Sequence, residues 1–295
     1  MGRVLLSAPA KLNLHLGIYS ELDERRYHRA DSLMVALDLA DEVLVEETPA
    51  IAGAEAPQVV CHPSLNIPVQ KNTVYRAALE LARRTGHTPS VRIEVRKNVP
   101  DQSGMGGSSS DAAATLLALC ELWKQDPASD LVTEAARAVG ADVPFFLDPV
   151  PTLLTGAGDV VEQKFAPLFR PIPVVLMRPV GPGVSTPAAY KAFDEQPTKP
   201  SDPSRLCELL RSGGVSAQQL AKCLANNLDP VACRMLPQVQ KTRSWLLAQP
   251  GVLGGQVTGS GSCVFAICGS DKTAQEVAQC AQSNSDAWVR IAHIV

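Results

Sequence analysis

Ser103-Gly104-Met105-Gly106-Gly107-Ser108-Ser109-Ser110-Asp111 is the most informative segment of the sequence, and it runs directly into Ala112-Ala113-Ala114-Thr115-Leu116-Leu117. A glycine- and serine-rich loop that opens an alanine-rich helix presents unpaired backbone N–H groups at the positive end of the helix dipole, where phosphate binds well. Its glycines permit positive φ and a close approach of the backbone to a ligand. Val91–Arg96, just before the loop, alternates apolar and polar residues like a half-buried strand. A flexible linker has a similar composition, but strand and helix patterns flank this loop directly. The stretch therefore predicts an anion-binding loop between a strand and a helix.

The loop differs from the two most familiar nucleotide-binding motifs. It lacks the Gly-Lys-Ser/Thr ending of a Walker A motif, and its glycines do not have the spacing of the Rossmann fingerprint. These differences exclude a P-loop NTPase and a dinucleotide-binding Rossmann domain.

Composition limits the remaining classes. The 295 residues are 45% hydrophobic and 19% charged with a net charge of -3, which fits two folded domains and argues against a general nucleic-acid binder. No apolar run approaches the ~20 residues of a membrane span, and the N-terminus is too short and polar for a signal peptide. The eight cysteines form no Cys-x-x-Cys pair and the five histidines are dispersed, so no metal site is expected. We therefore expect a cytoplasmic protein with neither a nucleic-acid nor a membrane partner.

Periodicity predicts alternating strands and helices. The opening segment, residues 4–18, reads as two short strands around a proline break, and further strands are predicted at 41–47, 91–96, 152–154, 159–165, 171–177, 263–268 and 288–294. Helices are predicted at 72–84, 112–124, 131–139, 203–211, 216–225, 236–249 and 272–283. This order favours α+β domains.

Three polar residues share one face of the opening strand. Lys11, Asn13 and His15 alternate with leucines, which is consistent with either a functional face or an ordinary solvent-facing strand.

Asp142 is the candidate acid. It lies between Gly140, predicted to end a helix, and Pro144, ahead of an apolar run. A carboxylate in such surroundings can act as a general base, although an aspartate that merely forms a turn would look the same. A second glycine-rich loop, residues 258–262, leads into a strand and could approach the same ligand or be a plain tight turn.

Together these segments resemble the GHMP kinase superfamily, named for galactokinase and the homoserine, mevalonate and phosphomevalonate kinases. The matching segments are residues 8–14, 104–113, 140–146 and 259–262. Tyr27-His28 and residues 184–190 resemble in particular the members that phosphorylate 4-diphosphocytidyl-2-C-methyl-D-erythritol.

The resemblance implies a two-domain α+β fold. Residues 1–165 would form the ATP-binding domain, like domain 2 of ribosomal protein S5, and residues 166–295 a ferredoxin-like domain. The implied reaction transfers the γ-phosphoryl group of ATP to the 2-hydroxyl of the cytidyl substrate, in non-mevalonate isoprenoid biosynthesis. ATP and Mg²⁺ would take part, with no residue assigned as a metal ligand, and the protein would be a monomer or weak homodimer.

The resemblance also implies roles for individual residues. Asp142 would orient or deprotonate the acceptor hydroxyl, and Lys11 would keep that carboxylate ionised and stabilise the transferred group. The ATP-binding residues would be Asn72, Ser103, Gly104, Met105, Gly106, Gly107, Ser108, Ser109 and Ser110. The substrate-binding residues would be Asn13, Tyr27, His28, Thr186 and Tyr190, with the cytosine between the two tyrosine rings; alternatively, both tyrosines are ordinary rim residues.

Three positions depart from the family pattern. Ser108 stands where a third glycine is common, so we expect either strain from a positive φ or a hydroxyl that contacts a phosphate. Arg26 replaces the glycine that usually precedes Tyr27-His28, and Asn227 stands where aspartate is usual. Two other functions remain open: a different small-molecule kinase of the superfamily, and a catalytically silent ligand sensor.

Overall fold

The computed structural model describes residues 2–49 and 56–295. Its strands are β1 (Arg3–Leu22), β2 (His28–Glu47), β3 (Gln58–His62), β4 (Val91–Arg96), β5 (Thr152–Thr155), β6 (Val160–Lys164), β7 (Ile172–Arg178), β8 (Ala225–Asn226), β9 (Val252–Val257), β10 (Val264–Cys268) and β11 (Trp288–Ile294). Its α-helices are α1 (Thr73–Thr85), α2 (Gly107–Trp123), α3 (Asp130–Val139), α4 (Val143–Phe146), α5 (Thr186–Glu195), α6 (Ser204–Arg211), α7 (Ala217–Ala221), α8 (Asp229–Met235), α9 (Pro237–Leu247) and α10 (Asp271–Asn284).

The described residues form two compact units. The first comprises residues 2–10, 39–49, 56–100 and 106–149, and the second comprises residues 11–38, 101–105 and 150–295. The second unit therefore takes in two early segments of the chain. The predicted domain boundary after residue 165 stays a prediction.

The first unit contains the start of β1, the end of β2, the strands β3 and β4, and the helices α1 to α4. β4 pairs antiparallel with the C-terminal half of β2, from Glu42 opposite Arg96 to Glu47 opposite Val91, and β3 pairs parallel with β4. The helix α1 is amphipathic and buries Val74, Ala77, Ala78, Leu81 and Ala82. It packs against α2 and α3, and α2 also packs against α4. This packing fixes the position of the N-terminus of α2.

In the second unit, four antiparallel strands form the central sheet. Their order is β11-β7-β10-β9, with β7 and β10 in the middle. The strand β10 shows no alternation of buried and exposed residues, because all five of its residues are buried. The apolar sides of α9 and α10 cover this sheet, with Val175, Val239, Leu246, Ala266 and Val277 in one cluster.

The N-terminal hairpin contributes to the same unit. β5 pairs with β2 at Ser32–Met34, and the two-residue strand β8 pairs parallel with β1 at His15 and Leu16. A second cluster, which includes Leu16, Ile18, Ala30 and Phe193, lies between this hairpin and α5 and α8.

Most predicted elements are present, with four kinds of difference. The strands β3, β8 and β9 were not predicted, and β2 begins at His28 rather than at the predicted residue 41. The opening segment is one strand, Arg3–Leu22, so the predicted proline break is wrong; a proline can sit in a strand where no N–H bond is needed. α2 begins at Gly107, five residues before the predicted start. Three short helices, α4, α5 and α8, were not predicted; each has a proline in its first turn, which suits the N-terminus of a helix but reads as a break in the sequence.

Candidate active site

The first turn of α2 is the predicted phosphate-binding turn, and it lies at the end of the glycine loop, in the first unit. Gly106 precedes the helix with φ 73°, a left-handed conformation that favours glycine. The first helical hydrogen bonds run from the N–H groups of Ser109 and Ser110 to the Gly106 carbonyl. Gly107 and Ser108 are the first two residues of the helix, where backbone N–H groups have no acceptor in a preceding turn, so their N–H groups are placed to bind an anion.

The expectation of a positive φ at Ser108 is wrong. Ser108 is the second residue of α2, and the left-handed conformations of the loop fall on Gly104 and Gly106 instead. Arg26, which stands where the family pattern has glycine, has φ 65°, a left-handed conformation that favours glycine. A non-glycine residue with positive φ, which was expected at Ser108, is therefore found at Arg26.

Asn72 lies at the start of α1, next to the same loop. Its side chain is 7% exposed and accepts a hydrogen bond from the N–H of Val74, which caps the helix. The neighbouring Thr73 hydroxyl donates to the Ser108 carbonyl at 2.7 Å. The start of α1 is thus fastened to the phosphate-binding turn, and contact of Asn72 with adenine stays a prediction.

Asp142 occupies the position just before α4 in the first unit. Its side chain is half-buried, and Val143–Phe146 behind it are buried. Gly140, which ends α3 in an extended conformation, lies beside the phosphate loop: a Cβ there would be 4.0 Å from Ser109 Oγ. The segment that carries Asp142 therefore lies close to the first turn of α2.

Lys11 is buried in the second unit, where its side chain is 2% exposed. Its ammonium donates to Asn13 Oδ1 at 2.5 Å, and its backbone N–H donates to the Met105 carbonyl at 2.9 Å. A Cβ at Gly259 would be 3.5 Å from Lys11 Nζ, so the second glycine loop passes close to the ammonium. A buried lysine in polar surroundings is a candidate functional group.

Asn13 joins Lys11 to the second glycine loop. Its Oδ1 also accepts from the Gly259 N–H at 2.9 Å, and its Nδ2 donates to Ser32 Oγ at 2.8 Å. These bonds give Asn13 a positioning role that the sequence did not indicate. Its predicted contact with the acceptor stays a prediction.

Residues 103–105 pack directly on the second glycine loop. The Ser103 carbonyl accepts from the Cys263 N–H at 3.0 Å, and Met105 is fully buried. Gly104 has φ 79°, and a Cβ there would lie 2.1 Å from the Thr258 carbonyl oxygen. This contact explains the need for glycine at position 104. Thr186 reaches the same loop, with its Oγ1 3.1 Å from Ser260 Oγ.

His28 and Tyr190 form an aromatic contact in the second unit. Their ring centroids are 5.4 Å apart, and His28 is 8% exposed. His28 Nδ1 lies 2.7 Å from the Tyr19 carbonyl, which can only accept, so Nδ1 is the donor in this contact. Nε2 faces the carboxylate of Asp194 at 3.2 Å. Tyr27, by contrast, is 60% exposed and lies under the guanidinium of Arg25.

Asp111 on α2 belongs to a buried charged cluster that sequence reasoning did not identify. Lys97 donates to both Asp41 and Asp111. Burial raises the pKa of Asp111 to about 7, with Lys97 acting in the opposite direction and Asp41 raising it further. Asp41 and Lys97 are 56 positions apart in the chain, and the pairing of β2 with β4 brings them together.

Two negative findings, on metal binding and on membrane-spanning helices, hold for the part of the chain that the structure describes. There, no group of three or more His, Cys, Asp or Glu side chains could hold a metal ion. Within the same residues, none of the helices combines the length and apolar character needed to span a bilayer.

Comparison with known families supports the arrangement. The family model for the N-terminal domain of GHMP kinases matches residues 72–148, which include α1, the phosphate loop and Asp142. The model for the C-terminal domain of GHMP kinases matches residues 202–287.

Similar proteins cover almost the whole chain. A 4-diphosphocytidyl-2-C-methyl-D-erythritol kinase of Cereibacter sphaeroides is 35% identical over 95% of this chain and 95% of its own. One of Desulfitobacterium hafniense is 34% identical over 97% of this chain and 95% of its own. A crystal structure of 4-(cytidine 5'-diphospho)-2C-methyl-D-erythritol kinase superposes with a TM-score of 0.77 at 30% identity, covering 98% of this chain and 99% of the other. The homoserine kinase of Cytophaga hutchinsonii, at 20% identity and a TM-score of 0.73, shares the fold. The predicted two-domain α+β fold is thus confirmed, and the chain belongs to the GHMP kinases, within the family of 4-diphosphocytidyl-2-C-methyl-D-erythritol kinases.

Proposed function

We propose that this protein transfers the γ-phosphoryl group of ATP to the 2-hydroxyl of 4-diphosphocytidyl-2-C-methyl-D-erythritol, a step of non-mevalonate isoprenoid precursor biosynthesis. The observation that carries the proposal is the likeness to kinases of this name over 95% of the chain. Phosphoryl transfer requires mainly positioning and charge stabilisation from the protein. The site residues are suited to these two tasks.

The N–H groups at the start of α2 bind the ATP phosphates in this proposal. Gly106, Gly107 and Ser108 present backbone to the anion, and the hydroxyls of Ser109 and Ser110 lie in the same turn. Mg²⁺ typically keeps several waters and binds substrate phosphates with few protein ligands. The absence of a three-ligand cluster among the described residues fits an ion held chiefly by the nucleotide. When bound, Mg²⁺ would neutralise phosphate charge.

Asp142 and Lys11 have the two chemical roles. Asp142 accepts the proton of the acceptor hydroxyl, or orients that hydroxyl for attack. Lys11 stabilises the negative charge on the transferred group, and its bond to Asn13 holds the ammonium in one position. The acceptor oxygen forms a bond to the γ-phosphorus while the bond to the leaving ADP oxygen breaks.

His28 and Tyr190 recognise the cytosine in this proposal. The ring of Tyr190 offers a stacking face, and His28, whose ring lies beside it, is the candidate for a hydrogen bond to the edge of the base. Tyr27 is exposed, so its ring is available to cover the other face. A base-sized aromatic slot is unnecessary for mevalonate or homoserine, and no observation favours those substrates or a silent sensor.

The proposal is tested by measuring ADP release with ATP and Mg²⁺ over a panel of acceptors. We expect rapid, acceptor-dependent release with the cytidyl substrate and none above background with mevalonate or homoserine. Preference for either smaller acceptor would replace the proposed substrate. Tight ATP binding without turnover of any acceptor would favour a ligand sensor.

A further inference from the structure

Three charged side chains form a buried cluster directly behind the N-terminus of α2. Lys97 Nζ donates to a carboxylate oxygen of Asp41 and, at 2.7 Å, to Oδ2 of Asp111. None of the three side chains is more than 6% exposed. With both carboxylates ionised, the cluster carries one net negative charge in a place that water barely reaches. A buried charge that is not fully compensated is costly.

This charge lies next to the phosphate-binding turn. A Cβ added to Gly107 would be only 3.2 Å from Lys97 Nζ, so the ammonium group of the cluster lies against the first residue of α2. Charges at short range interact strongly when they are poorly solvated. The ionisation of the cluster therefore affects any anion bound at the first turn of α2.

Asp111 is the member whose charge can change. Both oxygens of Asp41 are engaged, because Oδ1 accepts from the N–H of Val99 at 2.8 Å while Oδ2 accepts from Lys97. Oδ1 of Asp111, by contrast, is buried without a hydrogen-bond partner among the described residues. Burial raises the pKa of Asp111 to about 7.

Lys97 and Asp41 are the charged groups that act on Asp111. The helices α1, α3 and α4 also pack on α2. The residues that these three helices bury are apolar: Val74, Ala77, Ala78, Leu81, Ala82, Val132, Ala135, Ala136, Val139, Val143, Pro144, Phe145 and Phe146. They contribute desolvation but no further charge.

We propose that nucleotide binding at this loop is coupled to the uptake of one proton by Asp111 Oδ1, so that Lys97 and Asp111 together set the affinity for the phosphates. The inference rests on the proposed function, since it assumes that the loop binds ATP and ADP. A bound phosphate favours the neutral carboxyl over the carboxylate, and by linkage the neutral carboxyl favours the bound phosphate. The proton comes from solvent, and it returns there when the nucleotide leaves. Both residues act through the loop, as positioning residues.

The sign of the pH dependence follows from the charges. As pH rises through the pKa of Asp111, the cluster changes from neutral to negative and repels the phosphates. We expect the Kd of Mg·ADP to increase by about 3- to 10-fold between pH 6 and pH 8.5. Asp111→Asn is a neutral isostere, so its Kd should stay flat over this range and should be lower than that of the wild type at pH 8.5. A merely structural role predicts weaker binding by the variant at every pH.

Isothermal titration calorimetry of the full-length protein with ADP and excess Mg²⁺ tests the coupling. Titrations at pH 7 in two buffers of different ionisation enthalpy give the number of protons taken up. The ligand's own ionisation cancels in the difference between wild type and Asp111→Asn. The exposed Asp130→Asn, at the start of α3, is the matched control and should behave like the wild type.

The outcomes separate the two proposals. Failure of the wild type to bind Mg·ADP at any pH would count against the proposed function. Normal binding with a pH-independent Kd, or equal proton uptake by wild type and Asp111→Asn, would overturn the coupling. If Asp111→Asn does not fold, the proton uptake and pH dependence of the wild type, corrected for the separately titrated ionisation of Mg·ADP, remain decisive.

Discussion

At the residue scale, the proposed reaction depends on two side chains, Lys11 and Asp142, and different neighbouring residues position each of them. Lys11 is held by Asn13, whose Oδ1 also accepts from the N–H of Gly259. Asp142 sits ahead of a short buried helix and follows an extended glycine. The sequence identified both residues as candidates through motif resemblance. The role of Asn13 in fixing the Lys11 ammonium depends on a contact between residues 246 positions apart, which the sequence does not show.

Asp142→Asn and Lys11→Met should each lower kcat by roughly 100-fold or more, within the range of general acid–base groups. The Kd of ADP should change far less, since backbone N–H groups bind the phosphates. Asp148→Asn, an exposed carboxylate on the same segment, serves as the control and should retain wild-type kcat. Near-normal turnover by Asp142→Asn would remove that residue from the mechanism.

Arg26 has a backbone conformation that lowers the stability of the fold. Its φ of 65° is unfavourable for a residue with a Cβ by about 1–2 kcal/mol. Glycine avoids this strain but loses more entropy on folding. Arg26→Gly should therefore increase the free energy of unfolding modestly, by up to about 1 kcal/mol.

Urea denaturation checks this expectation. Glu24→Gly, in the same exposed turn but without a positive φ, is the control and should give no gain. If the two variants change stability equally, the strain at position 26 is not the cause.

At the scale of elements, the two glycine loops of the second unit interlock through backbone. Gly104 meets the Thr258 carbonyl, and the Cys263 N–H donates to the Ser103 carbonyl. Gly104→Ala combines a positive φ with a clash against backbone and should lower the free energy of unfolding by roughly 3 kcal/mol or more. Gly158→Ala is the matched control, since its φ of 84° is similar but no atom lies within 4 Å. The control should lose about 1 kcal/mol. Equal losses in urea denaturation would show that the clash is absent.

His293 fastens the last strand to two other elements of its unit. Its ring lies 2.7 Å from Asp271 at the start of α10 and 2.7 Å from Asp38 on β2. The hydrogen bond to Asp271, followed by that to Asp38, raises the pKa of His293 above 6.5. A raised folded-state pKa means that this stabilisation is complete below about pH 6.5 and is lost as pH rises through the folded value.

His293→Gln should therefore be less stable than the wild type at pH 6, and the difference should shrink at pH 9. The loss should stay below about 1 kcal/mol because the carboxylates are partly exposed. Chemical denaturation at both pH values measures it. His87→Gln is the control, because the ring of His87 stacks on Trp123. A difference that is the same at both pH values would contradict the ion-pair account.

Local sequence patterns predicted most elements because residues close in the chain determine them. The helix α1 follows from apolar spacing, and β4 follows from strict alternation. The two-residue strand β8 has too little sequence to show a period, and its pairing with His15 and Leu16 joins distant segments. The cluster of Asp41, Lys97 and Asp111 was missed for the same reason. Motifs located the loops, but only the folded pairing showed which charges lie beneath them.

At the scale of the whole molecule, the family and fold could be predicted from four short segments. They were sufficient because each segment has distinctive residue types: a lysine in the opening strand, a glycine- and serine-rich loop before α2, an aspartate before α4 and a second glycine loop. The division into compact units was harder to predict, since residues 11–38 and 101–105 belong with the C-terminal half. Lys11 and Ser103–Met105 consequently share one unit, although the phosphate-binding turn after them belongs to the other.

The central claim is that one phosphoryl group moves from ATP to a hydroxyl of the cytidyl substrate. A ³¹P NMR spectrum of the reaction, with equal amounts of ATP and 4-diphosphocytidyl-2-C-methyl-D-erythritol in excess Mg²⁺, tests it most directly. We predict one new phosphate monoester resonance per ADP formed, with the diphosphate of the substrate intact. Formation of ADP with only inorganic phosphate, or cleavage of the substrate diphosphate, would contradict the account.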